Sequence, residues 1–187
     1  MAETRLDPRV MRTRKLIMDS FLEVSKKKEF KDIKILDITK EATVNRATFY
    51  YHFMDKYDLR EKLIKEDLMV NVLSQIDEED VLNEALIIKI FLSMTRYLET
   101  LETKCNRNFQ QLSSTIEAVM KKELQDILYK RLLKQNYLGN EESLRMTAVM
   151  LSWAVYGAML DWQANSTLTA EDYIKKVMPI TEMYLGV

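Results

Sequence analysis

Cross-linking and turn-forming residues are scarce in this chain of 187 residues, which holds 1 Cys, 3 Gly and 2 Pro. With a single thiol, Cys105, no disulfide can close within the chain, so a reducing cytosol is the expected compartment and the chain is expected to be cytoplasmic. There is one histidine, His52, and no grouping of His, Cys and carboxylates at ligand spacing, so no metal site and no cofactor are expected. No nucleophile paired with a base and no phosphate-cradling Gly loop is visible, which argues against an enzyme. The longest apolar stretch, Val149 to Leu160, contains Ser152 and falls short of the roughly 18 residues a membrane span needs. Charges at Glu3, Arg5, Asp7, Arg9, Arg12 and Arg14 leave no apolar run for a signal peptide, and none is expected. Internal repeats and low-complexity segments are also missing.

What is present favours helices. Leu, Met, Glu, Lys and Ala abound, all good helix formers, and apolar residues reach 47%, enough to bury a sizeable core. The expected fold is all-α, with about nine helices. Net charge is −1, but it is unevenly placed. Residues 1–60 hold 14 Lys and Arg against 10 Asp and Glu, a net of +4, and the remainder holds 14 against 19, a net of −5. A basic head joined to an acidic body suits a polyanion on the head alone.

Hydrophobic spacing predicts a first helix over 9–28, with Ile17, Phe21, Leu22 and Val24 near one face and Lys26, Lys27 and Lys28 at the cation-favouring end. A second helix is expected over 35–42. A third begins after Val44, with Asn45 as its N-cap, so only residues 42–45 join the two, the spacing of a helix-turn-helix. A fourth, capped by Asp55, runs to about Gln75, and the acidic run Ile76 to Asp80 ends it. Five more helices are expected at roughly 81–103, 107–117, 119–136, 141–164 and 169–185. Thr169 with Asp172 forms a variant capping box, and Pro179 is expected to bend or shorten the last helix. The domains read as 1–55 for the helix-turn-helix, 55–75 as connector and 76–187 as the body.

The third helix carries the chemistry. A helix in the major groove presents its first residues to base edges, here Asn45, Arg46, Ala47 and Thr48. Arg46 can donate twice to guanine O6 and N7, and Ala47 can touch a thymine methyl. The tips of Tyr50, Tyr51 and His52 can donate to phosphates, which fixes orientation more than sequence. Lys56, in the first turn of the fourth helix, adds a charge beside free backbone N–H groups, a candidate phosphate site. Phe49 and Phe53, four apart, read as the buried side that holds this helix onto the first.

Residues 9–60 resemble the N-terminal domain of the tetracycline-repressor (TetR/AcrR) family of bacterial transcription regulators. The resemblance runs through Ile38-Thr39-Lys40-Glu41-Ala42, then Val44 to Phe53, then Asp55-Lys56 and Leu59, and the run Thr48-Phe49-Tyr50-Tyr51-His52-Phe53 followed by Lys56 is its specific signature. It implies a homodimeric helical regulator whose heads bind a palindromic operator on double-stranded DNA, usually to repress transcription. It implies base reading at Arg46, Ala47 and Thr48 and phosphate contact at Tyr50, Tyr51, His52 and Lys56. Two features depart from the family. Thr43 stands where the turn usually has Gly, and a β-branched residue is costly at positive φ, so the turn is expected to differ locally. Lys34, Ile35 and Leu36 replace the usual capping hydroxyl of the second helix, so no base contact is assigned there.

The body is read from pattern. Met146, Val149, Met150, Trp153, Tyr156, Gly157 and Leu160 form a broad apolar stripe, with Ile174, Val177, Met178, Thr181 and Tyr184 as a facing one. By the resemblance these stripes form a dimer interface, with Gly157 allowing close approach; the alternative is plain intrachain core. The family also implies a small-molecule effector among the middle helices. Candidate lining residues are Phe91, Met94, Tyr97, Leu98, Phe109, Leu112, Met120, Trp153 and Trp162, although such residues are more often core. A different regulator would take a protein partner on the acidic loop Asp77 to Asp80 or the charged helix Lys121 to Lys134. Cys105 is either a thiol sensor or an ordinary thiol.

Overall fold

The structure, a computed structural model, describes residues 7–77, 79–104, 109–135 and 139–185, with side chains 104, 109–111 and 179–185 outside that description. All regular elements among the described residues are helical. They are α1 (Pro8–Lys27), α2 (Ile35–Glu41), α3 (Arg46–His52), α4 (Lys56–Asn71), α5 (Glu84–Lys104), α6 (Phe109–Lys134), α7 (Glu141–Asn165) and α8 (Ala170–Leu185), with 3-10 turns at Phe30–Asp32 and Leu73–Gln75. Two compact units result, Met1–Ile64 with Glu102–Thr115, and Lys65–Leu101 with Ile116–Val187.

Local capping sets most helix starts. Asp7 accepts from the Arg9 N–H at 2.8 Å ahead of Pro8, whose missing donor costs nothing in a first turn. Asn45 accepts from the Thr48 N–H at 2.7 Å, and Asp55 from those of Tyr57 and Asp58, both at 2.8 Å. Asn140 accepts from Ser143 at 2.8 Å, and Thr169 exchanges bonds with Asp172 at 2.8 and 3.1 Å. One expected feature differs. The helices expected at 107–117 and 119–136 are one, α6, because Glu117-Ala118-Val119-Met120 offers good helix formers and no Gly, Pro or cap to interrupt it. The last helix runs to Leu185, the end expected for it, so Pro179 does not shorten it.

In the first unit one apolar cluster joins α1, the connecting loop, α2, α3 and α4. Ile17, Met18, Phe21 and Val24 of α1 meet Phe30 and Ile33 of the connecting loop, Ile38 and Ala42 of α2, Phe49 and Phe53 of α3, and Leu59 of α4. The three lysines closing α1 are taken up internally: Lys26 by Glu23, Lys27 by Glu41 and Lys28 by Asp37.

The second unit is built around Leu68, Ile90, Phe91, Met94, Met120, Leu124, Ala148, Met159, Ile174 and Met178, all nearly inaccessible. The Phe91 ring stacks on Tyr173 at 5.9 Å. The loop after α4 is strapped down: Asp80 pairs with Lys89 at 2.9 Å, Glu79 with Lys134 at 3.0 Å, and the Leu82 N–H donates to Gln135 Oε1 at 2.7 Å. No helix among the described residues is long and apolar enough to cross a membrane.

Candidate nucleic-acid interface

The turn between α2 and α3 keeps the left-handed conformation that glycine would favour, with Thr43 at φ 52°. This corrects the expectation of a locally different turn. The reason is in the hydrogen bonds: Thr43 N–H donates to Lys40 O at 3.2 Å and Val44 N–H to Thr39 O at 3.0 Å, the paired bonds of a Schellman motif. Satisfying two end carbonyls and tucking Val44 against the cluster outweighs the strain at Thr43, about 1–2 kcal/mol for a residue with a Cβ. Thr39 is buried and its hydroxyl donates to Leu36 O at 3.2 Å, so it faces inward.

Phe49 is fully buried and Phe53 nearly so, which turns the opposite side of α3 to solvent. On that side stand Asn45, Arg46, Ala47, Tyr50 and Tyr51, the last two 50% and 72% exposed, with Thr48 and His52 half-buried beside them. Asn45 Oδ1 is committed to both the N–H and the hydroxyl of Thr48, at 2.7 and 3.0 Å, which leaves its amide N–H groups free of that duty. Arg46 enters no ion pair among the described residues and projects from the first turn.

His52 packs edge-on to Tyr51 at 5.0 Å, and burial, helped by the charge of Arg14, lowers its pKa below the ordinary value of 6.5. At neutral pH the ring is therefore uncharged and offers one N–H donor. Two cations lie near the Phe53 ring, Arg14 at 4.7 Å and Lys62 at 5.7 Å from its centre. Asp58 accepts from the Met54 N–H at 2.9 Å and from Lys62 at 2.9 Å. Burial raises the pKa of that carboxyl, but these donors outweigh it and the net shift is downward. Arg14, Asp58 and Lys62 brace the end of α3 and were not singled out from sequence, although the 58/62 spacing of opposite charges one turn apart was visible.

Lys56 does not stand out as a free tip. Its ammonium donates to the carbonyls of Phe30, Lys31 and Ile33 at 2.9, 3.0 and 2.9 Å.

Among the candidate effector residues, Phe91, Met94, Tyr97, Leu98 and Met120 are buried in the second unit, while Leu112, also buried, falls in the segment grouped with the first. Trp153 is 57% exposed, with the Lys121 ammonium 3.3 Å from its ring centre. Trp162 donates from Nε1 to Leu168 O at 2.9 Å and so anchors the turn before α8. Phe109, Thr181, Tyr184 and Cys105 lie outside the described side chains.

The dimer stripes also divide. Met146, Met150, Trp153, Gly157 and Leu160 are exposed on α7, and Val149 and Val177 are partly so. Tyr156, Ile174 and Met178 are 7%, 3% and 2% exposed and belong to the chain's own core. Burial, with Glu117 nearby, pushes the Tyr156 hydroxyl up to about 12.

Residues 17–63 match the family model described as bacterial regulatory proteins, tetR family. Over 64 residues the chain is 39% identical to YxbF of Bacillus subtilis (strain 168), an uncharacterized HTH-type transcriptional regulator; the match spans 34% of this chain and 17% of that protein's length. Two solved structures share the fold along nearly the whole chain. A protein of Pseudomonas aeruginosa PAO1 described as a transcriptional regulator aligns with TM-score 0.58 and 16% identity over 96% of this chain and 92% of that one. The TetR family repressor AlkX of Dietzia sp. strain DQ12-45-1b, implicated in n-alkane biodegradation, aligns with TM-score 0.56 and 11% identity over 98% of each. At such identities the likeness is one of fold.

Proposed function

From the premise that this chain belongs, by its N-terminal domain, to the tetR family of bacterial transcriptional regulators, we propose that it acts as a homodimeric repressor, binds a palindromic operator and is released by a small-molecule effector. The observation that carries the DNA reading is the outward face of α3, where Asn45, Arg46 and Ala47 project from a first turn held by a fully buried Phe49. Arg46 reads a guanine through O6 and N7, and Ala47 meets a thymine methyl. Thr48 stands at the edge of that contact. Tyr50, Tyr51 and His52 donate to phosphates and set the angle of approach.

Self-association is supported by α7. Its exposed apolar residues, 146, 150, 153, 157 and 160, alternate in steps of four and three, the spacing of a helix–helix seam. A Cβ built on Gly157 would meet nothing within 4 Å, so packing within the chain does not ask for glycine there. Two heads joined in this way read two half-sites. The effector reading is supported by the interior of the second unit, where the adaptable Met94 and Met120 lie with Phe91 and Tyr97. The protein-partner reading is weakened because Asp80 and Glu79 of the acidic loop already pair with Lys89 and Lys134.

The test is selection of genomic DNA fragments by the purified protein at near-physiological salt. Recovery of one palindromic sequence is expected. Binding that is sequence-independent and vanishes with salt would sink the operator reading.

A further inference from the structure

Resting on the DNA-binding reading above, we propose that Lys56 is a positioning residue that clasps the helix-turn-helix at its two ends, and that it is not a phosphate ligand. An ammonium has three N–H donors, and here each has a carbonyl within hydrogen-bond distance: Phe30, Lys31 and Ile33 at 2.9, 3.0 and 2.9 Å. None is left over for an anion. The same charge lies 4.8 Å from the centre of the Phe30 ring and 5.6 Å from that of Tyr57. Phe30 is itself buried in the cluster of the first unit and meets Phe21 edge-on at 6.2 Å, so the clasp closes on a fixed point.

The positions of the partners give the clasp its meaning. Ile33 immediately precedes Lys34, the N-cap of α2, and Lys56 follows Asp55, whose carboxylate starts α4 just after α3 ends. The bond from Lys56 to Ile33, 23 residues apart in sequence, therefore ties the two ends of a segment holding α2, the Thr43 turn and α3. The accepting carbonyls lie along the 3-10 turn and at its end, where that of Phe30 also takes the Ile33 N–H at 3.3 Å. A flat guanidinium directs its donors in one plane and cannot serve three carbonyls gathered around one nitrogen. Charge and clasp are thus separable by substitution.

The experiment compares Lys56→Arg and Lys56→Met in the full chain, binding the selected operator and a random duplex across a series of salt concentrations. Both variants are expected to lose about tenfold in operator affinity, with random-duplex binding and the salt slope close to the parent's. The inference is overturned if Lys56→Arg binds like the parent while Lys56→Met weakens on both DNAs with a slope lower by about 0.9, the mark of a phosphate ligand. It is overturned equally if both variants keep the parent's operator affinity and only melt earlier. Amide hydrogen exchange at Asp32 and Ile33, read without DNA and carried by whichever variant folds, should accelerate, because their bonds to Glu29 O and Phe30 O belong to the clasped loop. Unchanged exchange sinks the clasp whatever the DNA does, whereas failure of the parent to select any sequence sinks only the operator reading.

Discussion

α3 and α7 solve the same packing problem and expose opposite chemistry. Each buries one face, α3 through Phe49 and α7 through Leu144, Ala148, Leu151, Val155 and Met159. The outward face of α3 is polar and aromatic, with Arg46, Tyr50 and Tyr51 offering donors at the ends of their side chains. That of α7 is apolar, with Met150 69% and Trp153 57% exposed. A donor-tipped face suits a hydrated polyanion, while an apolar stripe of this spacing suits another helix. The buried halves fix each helix in its unit, and the exposed halves carry the chemistry on which the proposed function rests.

The comparison can be broken most severely from beneath α3. Phe49→Ala should destabilise the first unit by about 3–5 kcal/mol, read by denaturant unfolding, because a fully buried ring leaves a cavity at the centre of its cluster. A loss under about 1 kcal/mol would mean that α3 does not depend on that anchor. On the other helix, Met150→Asp should weaken self-association by about 2 kcal/mol, near thirtyfold in dimer Kd by sedimentation, by placing carboxylates on the seam. If the assembly state does not change, the exposed face of α7 is not the seam.

Arg46→Ala should cost about 1–3 kcal/mol of operator affinity and relax the preference at one base position. An equal loss on random DNA would reduce Arg46 to a phosphate contact. Thr43→Gly is expected to stabilise the protein by about 1 kcal/mol, since relief of strain at φ 52° exceeds the added flexibility of the unfolded chain. A lower melting temperature would show that the left-handed turn is not strained.

The smallest effect concerns His52. Its folded pKa is lowered from the ordinary 6.5, so folding favours the neutral ring. Its contribution to stability is complete above pH 6.5 and declines as pH falls from there through the folded value. His52→Gln should therefore lose less melting temperature than the parent between pH 7.5 and 5.5. Parallel curves would show that the ring does not titrate in this way.

Much of the outer face of α3 was legible because it is written in neighbours. Asn45 caps three residues ahead, and Phe49 and Phe53 share a face one turn apart, so reading along the chain placed them correctly. The body was less legible. Tyr156 and Met150 both fit the apolar stripe of a helix, and spacing cannot tell a residue facing the chain's own core from one facing outward. Trp153 looked like a lining residue for the same reason. The union of 107–117 with 119–136 was missed because a continuous run of helix formers carries no mark of where an interruption is needed.

The sequence by itself determined the helical class, most helix starts, the helix-turn-helix and the residues on the outer face of α3, because capping and helical periodicity act over three or four positions. Tertiary structure alone decided that Lys56 turns inward, that Ile174 and Met178 are core, and that Thr43 takes a left-handed φ. Each of those outcomes depends on how the folded chain packs, as with the carbonyls 23 to 26 residues away that hold Lys56, and a group's direction is set there by which partner its own donors can reach.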